Sequence, residues 1–367
     1  MVNIIFSTYV EVLILRNNNV MCALGACVFV IAGQAIAGPV ITAVSGEATN
    51  GSTIQISGSK FGSTGNELPL KFDDFESGTV GANLNTGGWS TDSSSQNPDP
   101  QFSKEYAYSG SQSGYADIRE KGDSGAFIRG LNSETAYVSL MFRYVIDSGD
   151  PATTKGVRLH ADDGPNVYSS YPGMFVQDFY SRHRISIKPT DDGGDSFSTY
   201  QSVLSQNKWM RKEYYFKIST PAGSSNGQIL SWVDGALKDE WEGVNRLSGV
   251  SDIYQLVMMP FYIGNGGGGR FWYDDVYISK SRARVEVCKN ASWSACNTRS
   301  IQVPMSWNGT SITAKLNLAG LDGLGDLYLY VIDGDGVVSA SFLLGSAPIG
   351  VESVLPLAPQ DFTVKIL

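Results

Sequence analysis

The alternation of apolar and polar side chains is the feature that most constrains the fold. In residues 137–146 every even-numbered position is apolar, whereas the odd-numbered positions include Ser139 and Arg143. Residues 209–218 repeat the pattern, with charged side chains concentrated at odd-numbered positions. Because alternate residues of a strand point to the same face, both segments are predicted to be half-buried β-strands. Many such short segments, separated by turn residues, predict an all-β protein.

The amino-terminal segment differs in kind from the rest of the chain. Val20–Gly33 is an apolar run that follows Arg16 and precedes the small-residue sequence Ala35-Ile36-Ala37. This order predicts a secretory signal over residues 1–37. The run is shorter than the ~20 apolar residues of a membrane-spanning helix, although an anchor or a buried helix is the alternative. We therefore expect a secreted, periplasmic or cell-surface protein without a membrane span in its mature form.

Charge and cysteine usage narrow the class of partner. The chain has 27 basic and 36 acidic residues, a net charge of −9, which argues against nucleic acid as the partner. Cys22 and Cys27 lie inside the predicted signal, so Cys288 and Cys296 are the two cysteines of the mature chain. In an oxidising compartment their short separation predicts a structural disulfide across a hairpin.

Segments near both ends of the chain carry short motifs of one smaller unit. Residues 39–62 contain Val44-Ser45-Gly46, Ile56-Ser57-Gly58 and Phe61-Gly62, and they resemble the opening of an IPT/TIG immunoglobulin-like domain. Strand patterns that would complete such a domain follow residue 281. This resemblance implies a split immunoglobulin-like domain made of residues 38–70 and 282–346. Three units in series are the alternative, and residues 347–367 read as a linker and tail.

The intervening residues 71–281 resemble a second family. They open with Phe72-Asp73-Asp74-Phe75-Glu76 and close with residues 271–278 (FWYDDVYI), while residues 227–235 (GQILSWVDG) follow Trp209. These motifs resemble concanavalin A-like lectin/glucanase domains and carbohydrate-binding jelly rolls. The implied fold class is all-β, a jelly-roll or concanavalin-like β-sandwich plus a smaller immunoglobulin-like β-sandwich.

Acidic residues at the two ends of this insert suggest a metal site. By strict alternation Trp272, Asp274, Val276 and Ile278 share a face, which places the Asp274 carboxylate among apolar side chains. A buried carboxylate needs a partner, and Asp74 and Glu76 on the first strand could approach it. Three carboxylates suit a structural Ca²⁺ ion, which the resembled families often carry. The alternative is that these acids accept hydrogen bonds from loop amides and solvent.

Arginine, histidine and tyrosine side chains in the middle of the insert suggest a ligand-binding patch. The candidates are Arg158, His160, Gln177, Tyr180, Arg182 and Arg184. Arginine binds carboxylates or sulfates in bidentate fashion, and tyrosine rings offer flat apolar faces to sugars. The alternative is that the arginines are solvated and paired with nearby aspartates.

Three functions remain open on these observations. The leading expectation is a carbohydrate-binding protein, without catalysis, that engages an extracellular polysaccharide or cell-surface glycan. The second is a polysaccharide lyase acting on an acidic polymer, with His160 as base and Arg158 or Arg182 neutralising a uronate carboxylate. The third is a structural or adhesive surface protein.

Overall fold

The computed structural model describes most of the chain between Gly38 and Leu344. The described residues are 38–63, 65–93, 97–120, 124–149, 154–155, 157–160, 186–187, 197–198, 205–246, 254–258, 261–262, 267–321 and 325–344. The predicted signal over residues 1–37 and the predicted tail over residues 347–367 lie outside this part, so both stay predictions.

Antiparallel β-strands make up nearly all the regular structure of the described residues. The strands of the first half are β1 (Val40–Ser45), β2 (Thr53–Ser59), β3 (Lys71–Asp73), β4 (Ser90–Ser93), β5 (Gln101–Ser103), β6 (Ser113–Asp117), β7 (Ser124–Ser133), β8 (Thr135–Gly149), β9 (Thr154–Lys155), β10 (Arg158–His160), β11 (Ser186–Ile187) and β12 (Phe197–Ser198). Those of the second half are β13 (Met210–Lys217), β14 (Gly227–Val233), β15 (Ala236–Gly243), β16 (Tyr254–Met258), β17 (Phe261–Tyr262), β18 (Gly267–Ser279), β19 (Arg284–Cys288), β20 (Arg299–Trp307), β21 (Ser311–Lys315), β22 (Tyr328–Ile332) and β23 (Phe342–Leu343). Short 3-10 helices occupy Leu84–Gly87 and Trp293–Ala295.

The middle of the chain forms a β-sandwich. Its central sheet has eight strands in the order β15-β14-β13-β8-β18-β6-β5, with β3 also paired to β18. A smaller sheet has the order β10-β16-β7-β4. Even-numbered residues of β8, such as Leu140 and Phe142, share one apolar core with Ala126 and Leu131 of β7. The predicted alternation in residues 137–146 is therefore confirmed, and so is the all-β sandwich class.

A third sheet, called here the terminal sheet, joins strands from both ends of the described chain. Its order is β1-β2-β21-β20-β19-β22-β23. Ile54 of β2 pairs with Ala314 of β21, and both belong to a core separate from that of the sandwich. Residues 38–59 and 284–343 thus contribute to one sheet, as a split domain requires. The IPT/TIG assignment and the exact domain boundaries stay predictions.

The terminal sheet covers one end of the central sheet. We call the face of the central sheet that carries the odd-numbered residues of β8 its outer face. There, Tyr137, Tyr215, Leu230 and Tyr277 pack together with Ile301 of β20. The terminal sheet does not cover the other end of the outer face, where side chains are partly exposed. Its edge therefore forms a step above the central sheet.

Two further features bear on the sequence predictions. Cys288 and Cys296 form a disulfide, which confirms the predicted pairing. In the part of the chain that the structure describes, no helix has the length and apolar character needed to cross a membrane.

Candidate functional site

A buried charge cluster lies where the terminal sheet meets the central sheet. It consists of Arg211, Glu213, Arg284, Glu286 and Arg299, each 7% exposed or less. Nη1 and Nη2 of Arg211 donate to the two carboxylate oxygens of Glu286 at 2.8 and 3.1 Å. Arg299 lies 3.5 Å from the Glu286 carboxylate and 3.6 Å from that of Glu213. The cluster therefore joins strands β13, β19 and β20 through charge-assisted contacts.

The electrostatics of this cluster are those of a structural joint. Burial alone would raise the pKa of Glu286, but Arg211, Arg284 and Arg299 together lower it well below its usual range. Glu286 is therefore ionised at any pH near neutrality. Tyr137 adds a hydroxyl that donates to Glu213 at 2.6 Å. Buried on all sides, these groups hold the two sheets in a fixed register and have little surface left for a large ligand.

Beyond the step, the outer face of the central sheet carries an aromatic strip. The strip consists of Tyr106, Tyr115, Trp272 and Arg143. Trp272 of β18 lies in register with Tyr115 of β6 and Arg143 of β8, and directly paired residues point to the same face. The Tyr115 and Trp272 ring centres are 5.3 Å apart, and Tyr106 stands edge-on to Trp272 at 4.8 Å. The Arg143 guanidinium carbon lies 3.8 Å from the centre of the Tyr106 ring.

The arginine beside this strip is already paired with acids. Arg270 lies 5.7 Å from the centre of the Trp272 ring. Its Nε donates to Asp147 at 3.0 Å, and its Nη1 lies 3.5 Å from a Glu105 oxygen. These contacts leave the strip without a strong excess of positive charge, and its character is aromatic and polar.

Two pockets flank the aromatic strip. The step pocket, of about 410 Å³, lies where the terminal sheet ends; its lining is Tyr108, Met141, Trp209, Arg211, Asp234, Asn297, Thr298, Arg299 and Gly320. The edge pocket, of about 450 Å³, lies near strand β5; its lining is Val80, Gly81, Gln101, Phe102, Ser103, Lys104, Glu105 and Tyr115. The edge pocket shares Tyr115 with the strip, and Met141 in the step pocket lies on β8 with Arg143. We call the strip together with these two pockets the groove.

Tyr108 is a titratable group in the lining of the step pocket. Its ring stands edge-on to Trp209, with ring centres 6.0 Å apart. Burial, followed by the charge of Asp275, raises the pKa of Tyr108 to about 12. The phenol therefore keeps its proton at neutral pH, which makes it a hydrogen-bond donor and a poor general base.

The predicted calcium ligands do not form one group. Among the described residues, no three or more His, Cys, Asp or Glu side chains lie where they could hold a metal ion together. Glu76 accepts the backbone N–H groups of Ser111 and Gln112, both at 2.8 Å. Asp274 accepts those of Tyr108 and Ser109 at 2.8 and 3.0 Å. These carboxylates hold the loop before β6, and a Ca²⁺ ion shared by Asp74, Glu76 and Asp274 stays a prediction.

The environment of Asp274 also differs from the prediction. Strand β18 has a register shift between Asp274 and Tyr277, and Asp275 adopts a positive φ of 46°. A bulge of this kind moves the following side chains to the opposite face. Val276 and Ile278 consequently join the sandwich core, so the expectation that they share a face with Trp272 and Asp274 is wrong.

The predicted ligand-binding patch is largely outside the described residues. Arg158 and His160 lie on β10, an edge strand of the smaller sheet, in register with Met258 and Leu256 of β16. Their side chains lie outside the described part, as do Gln177, Tyr180, Arg182 and Arg184 entirely. The patch stays a prediction.

The aromatic strip was missed from sequence. Trp272 and Tyr115 alternate correctly for an outer face, but alternation does not reveal which strands are neighbours. Tyr106 belongs to a loop, and its position over Trp272 depends on contacts distant in sequence. A cluster of tyrosines at 106, 108 and 115 was the available signal.

The sheets define the protein as a β-sandwich with an additional terminal sheet. No protein-family model and no curated protein sequence matches the chain. Among solved structures it is similar to a mutant alginate lyase in complex with an alginate tetrasaccharide, at 10% identity and a TM-score of 0.42, covering 58% of this chain and 98% of that one. An alginate lyase from a Chlorella virus is 14% identical with a TM-score of 0.41, and the match covers 58% of this chain and 99% of that one. A protein of unknown function with a galectin-like fold from Bacillus subtilis is 9% identical with a TM-score of 0.39, and the match covers 58% of this chain and 96% of that one.

Proposed function

We propose that this protein binds an extracellular polysaccharide or cell-surface glycan, without catalysis, along the outer face of its central sheet. The observation that carries the proposal is the aromatic strip, in which the partly exposed rings of Tyr106 and Tyr115 lie beside Arg143 and pack on the fully buried Trp272. Sugar rings have apolar faces that pack on flat aromatic side chains, while their hydroxyl groups need polar partners around them. The strip and the pockets on either side supply both.

The length of the groove suits a polymer. From β6 to β13 the outer face spans three spacings between neighbouring strands, roughly 14 Å. The edge pocket lies beyond β6, and the step pocket lies at the β13 end. A ligand that fills this groove is longer than one sugar ring, which favours a polysaccharide over a monosaccharide.

Binding without catalysis agrees with the titratable groups on this face. A lyase needs a base that is unprotonated near neutral pH, and Tyr108 is not such a group because its pKa is raised. A glycosidase needs two carboxylates facing one cleft. The lining of the step pocket has the carboxylate of Asp234, which already accepts the backbone N–H of Arg211 at 2.8 Å. The lining of the edge pocket has that of Glu105, which lies 3.5 Å from Arg270.

A location outside the cytoplasm belongs to the same proposal. The Cys288–Cys296 disulfide supports it, because such bonds persist in oxidising compartments. The predicted secretory signal over residues 1–37 points the same way.

The test is retention of the purified protein on a panel of neutral and acidic polysaccharides in affinity electrophoresis, with absorbance of unsaturated uronate recorded in parallel. Tyr106→Ala and Tyr115→Ala are expected to lose most of the retention. Tyr328→Ala, which removes a partly exposed tyrosine of the terminal sheet, is the matched control. Thermal unfolding of each variant checks that it is folded.

Equal retention of the folded strip variants and the wild type would refute the proposed surface. Rising absorbance that His160→Ala abolishes would establish a lyase in place of a binding protein. Failure of the wild type to be retained by any polymer would favour a structural role.

A further inference from the structure

The terminal sheet contributes part of the proposed binding groove. The wall of the step pocket includes Asn297 and Thr298, which connect the disulfide loop to strand β20. These two residues are exposed, whereas Cys296 before them and Arg299 after them are buried. Two polar side chains thus project from a short link between two anchored residues.

Contacts on both sides hold this link in place. Cys296 is fixed by its disulfide to Cys288. The guanidinium carbon of Arg299 lies 4.1 Å from the centre of the Trp293 ring, and Arg299 belongs to the buried charge cluster. The β14–β15 turn packs against the same segment, since a Cβ added to Gly235 would lie 2.5 Å from Arg299 and 3.1 Å from the Cys296 carbonyl oxygen. A rigid wall loses little entropy when a ligand binds.

The side chains of Asn297 and Thr298 have no hydrogen-bond partner within the described part of the chain. Asn290 and Asn308 differ in this respect. The side-chain oxygen of Asn290 accepts the backbone N–H of Ser292, and that of Asn308 accepts those of Thr310 and Ser311. Asn297 therefore keeps an amide donor and acceptor free, and Thr298 keeps a hydroxyl free.

Basic side chains are not in excess around the step pocket. Besides the charge cluster, with three arginines and two glutamates, the neighbouring titratable groups are Asp234, Lys238, Asp274 and Asp275. These groups make four basic and five acidic side chains. The pocket consequently offers no surplus positive charge to a carboxylate or sulfate, and the net charge of −9 repels polyanions at long range.

We propose that the step pocket holds a neutral, hydroxyl-rich sugar residue, packed on Trp209 and hydrogen-bonded by Asn297 and Thr298. This inference rests on the proposed function and adds the class of ligand and the two residues that select it. Amide and hydroxyl groups match sugar hydroxyls, which both donate and accept hydrogen bonds. The terminal sheet thereby becomes part of the recognition surface.

The experiment compares neutral glucans, galactans and mannans with the carboxymethylated form of each, using the whole protein at two salt concentrations. We expect tighter retention on a neutral polymer than on its carboxymethylated form, with no weakening at high salt. Asn297→Ala and Thr298→Ala should each weaken retention on that neutral polymer about threefold to tenfold, the effect of losing one or two hydrogen bonds. Asn85→Ala, an exposed asparagine outside the pocket, is the matched control.

Preferential, salt-sensitive retention on the carboxymethylated polymers would overturn the inference while leaving carbohydrate binding intact. Unchanged retention of both folded wall variants would overturn it as well. Absence of retention on every polymer would refute the proposed function and this inference with it.

Discussion

Replacing Glu286 by glutamine tests whether the charge cluster holds the terminal sheet to the central sheet. Glu286 is fully buried and accepts hydrogen bonds from Arg211 and Arg284. Glutamine has nearly the same shape but no charge, so the cluster would keep three arginines and only Glu213. Removing one partner of a buried ion pair costs about 3–5 kcal/mol, because the other charge is left uncompensated. We expect the free energy of unfolding at pH 7 to fall by about that amount.

The effect should depend on pH in a defined direction. Because the folded-state pKa of Glu286 lies below the ordinary value of about 4.3 for glutamate, its ionisation contributes stability above that value. That contribution is lost as the pH falls through the folded-state pKa. The difference between wild type and Glu286→Gln should therefore be constant from pH 7 to about 5 and narrow below about pH 4.3.

Urea unfolding followed by tryptophan fluorescence measures both quantities. Glu240→Gln removes an exposed carboxylate of β15 and should change stability by less than about 0.5 kcal/mol. A double-mutant cycle with Arg284→Met isolates the interaction of Glu286 with one partner, with an expected coupling of at least about 1 kcal/mol. A loss below about 1 kcal/mol at pH 7, or a difference that stays constant down to pH 3, would refute this account of the cluster.

Three further outcomes follow from the described contacts. Gly235→Ala should destabilise the protein by about 1–2 kcal/mol in urea unfolding, because Gly235 has a φ of 74° and no room for a Cβ; an unchanged midpoint would contradict this. Reduction of the Cys288–Cys296 disulfide should lower the free energy of unfolding by about 2–3 kcal/mol and weaken retention on the polysaccharide. Unchanged retention after complete reduction would show that the disulfide does not position the pocket wall. Burial holds the pKa values of Asp274 and Asp275 above the ordinary range, so the free energy of unfolding should decline as the pH rises from 5 to 8. Asp274→Asn should reduce that decline. Equal declines in wild type and variant would contradict this prediction.

Local patterns were enough to predict the fold class. The alternation in residues 137–146 placed Leu140 and Phe142 in the core. The Asp234-Gly235 pair is typical of the two-residue turn that joins β14 to β15. Each of these inferences depends on residues that are neighbours in sequence, so the physics that decides them is visible in a short window.

Alternation alone did not predict that a charged strand face would be buried. Arg211 and Glu213 lie on the charged face of β13, which in isolation is typical of a solvated surface. Both are buried, because β19 and β20 bring Glu286 and Arg299 against them from more than 70 residues away. A pattern within one strand carries no information about a partner that distant.

The bulge in β18 shows a second limit. Strict alternation assigned Asp274, Val276 and Ile278 to one face, but the left-handed conformation of Asp275 reverses the order after it. An aspartate adopts that conformation more readily than most residues, yet nothing in the FWYDDVYI sequence marks the bulge. Asp274 precedes the bulge, and its carboxylate accepts backbone N–H groups of the loop before β6. The calcium site stays a prediction.

The charge cluster and the step pocket are parts of one arrangement. A purely apolar interface would allow the two sheets several relative positions, since hydrophobic contact has little directionality. The Arg211–Glu286 contacts have fixed donor and acceptor geometry, so a displacement of the terminal sheet would leave buried charges unpaired. Asn297 and Thr298 line the step pocket beside strand β20 of the terminal sheet, while Trp209 and Tyr108 belong to the sandwich. A pocket built from both parts keeps its shape only if the seam between them is fixed, and the buried ion pairs fix it.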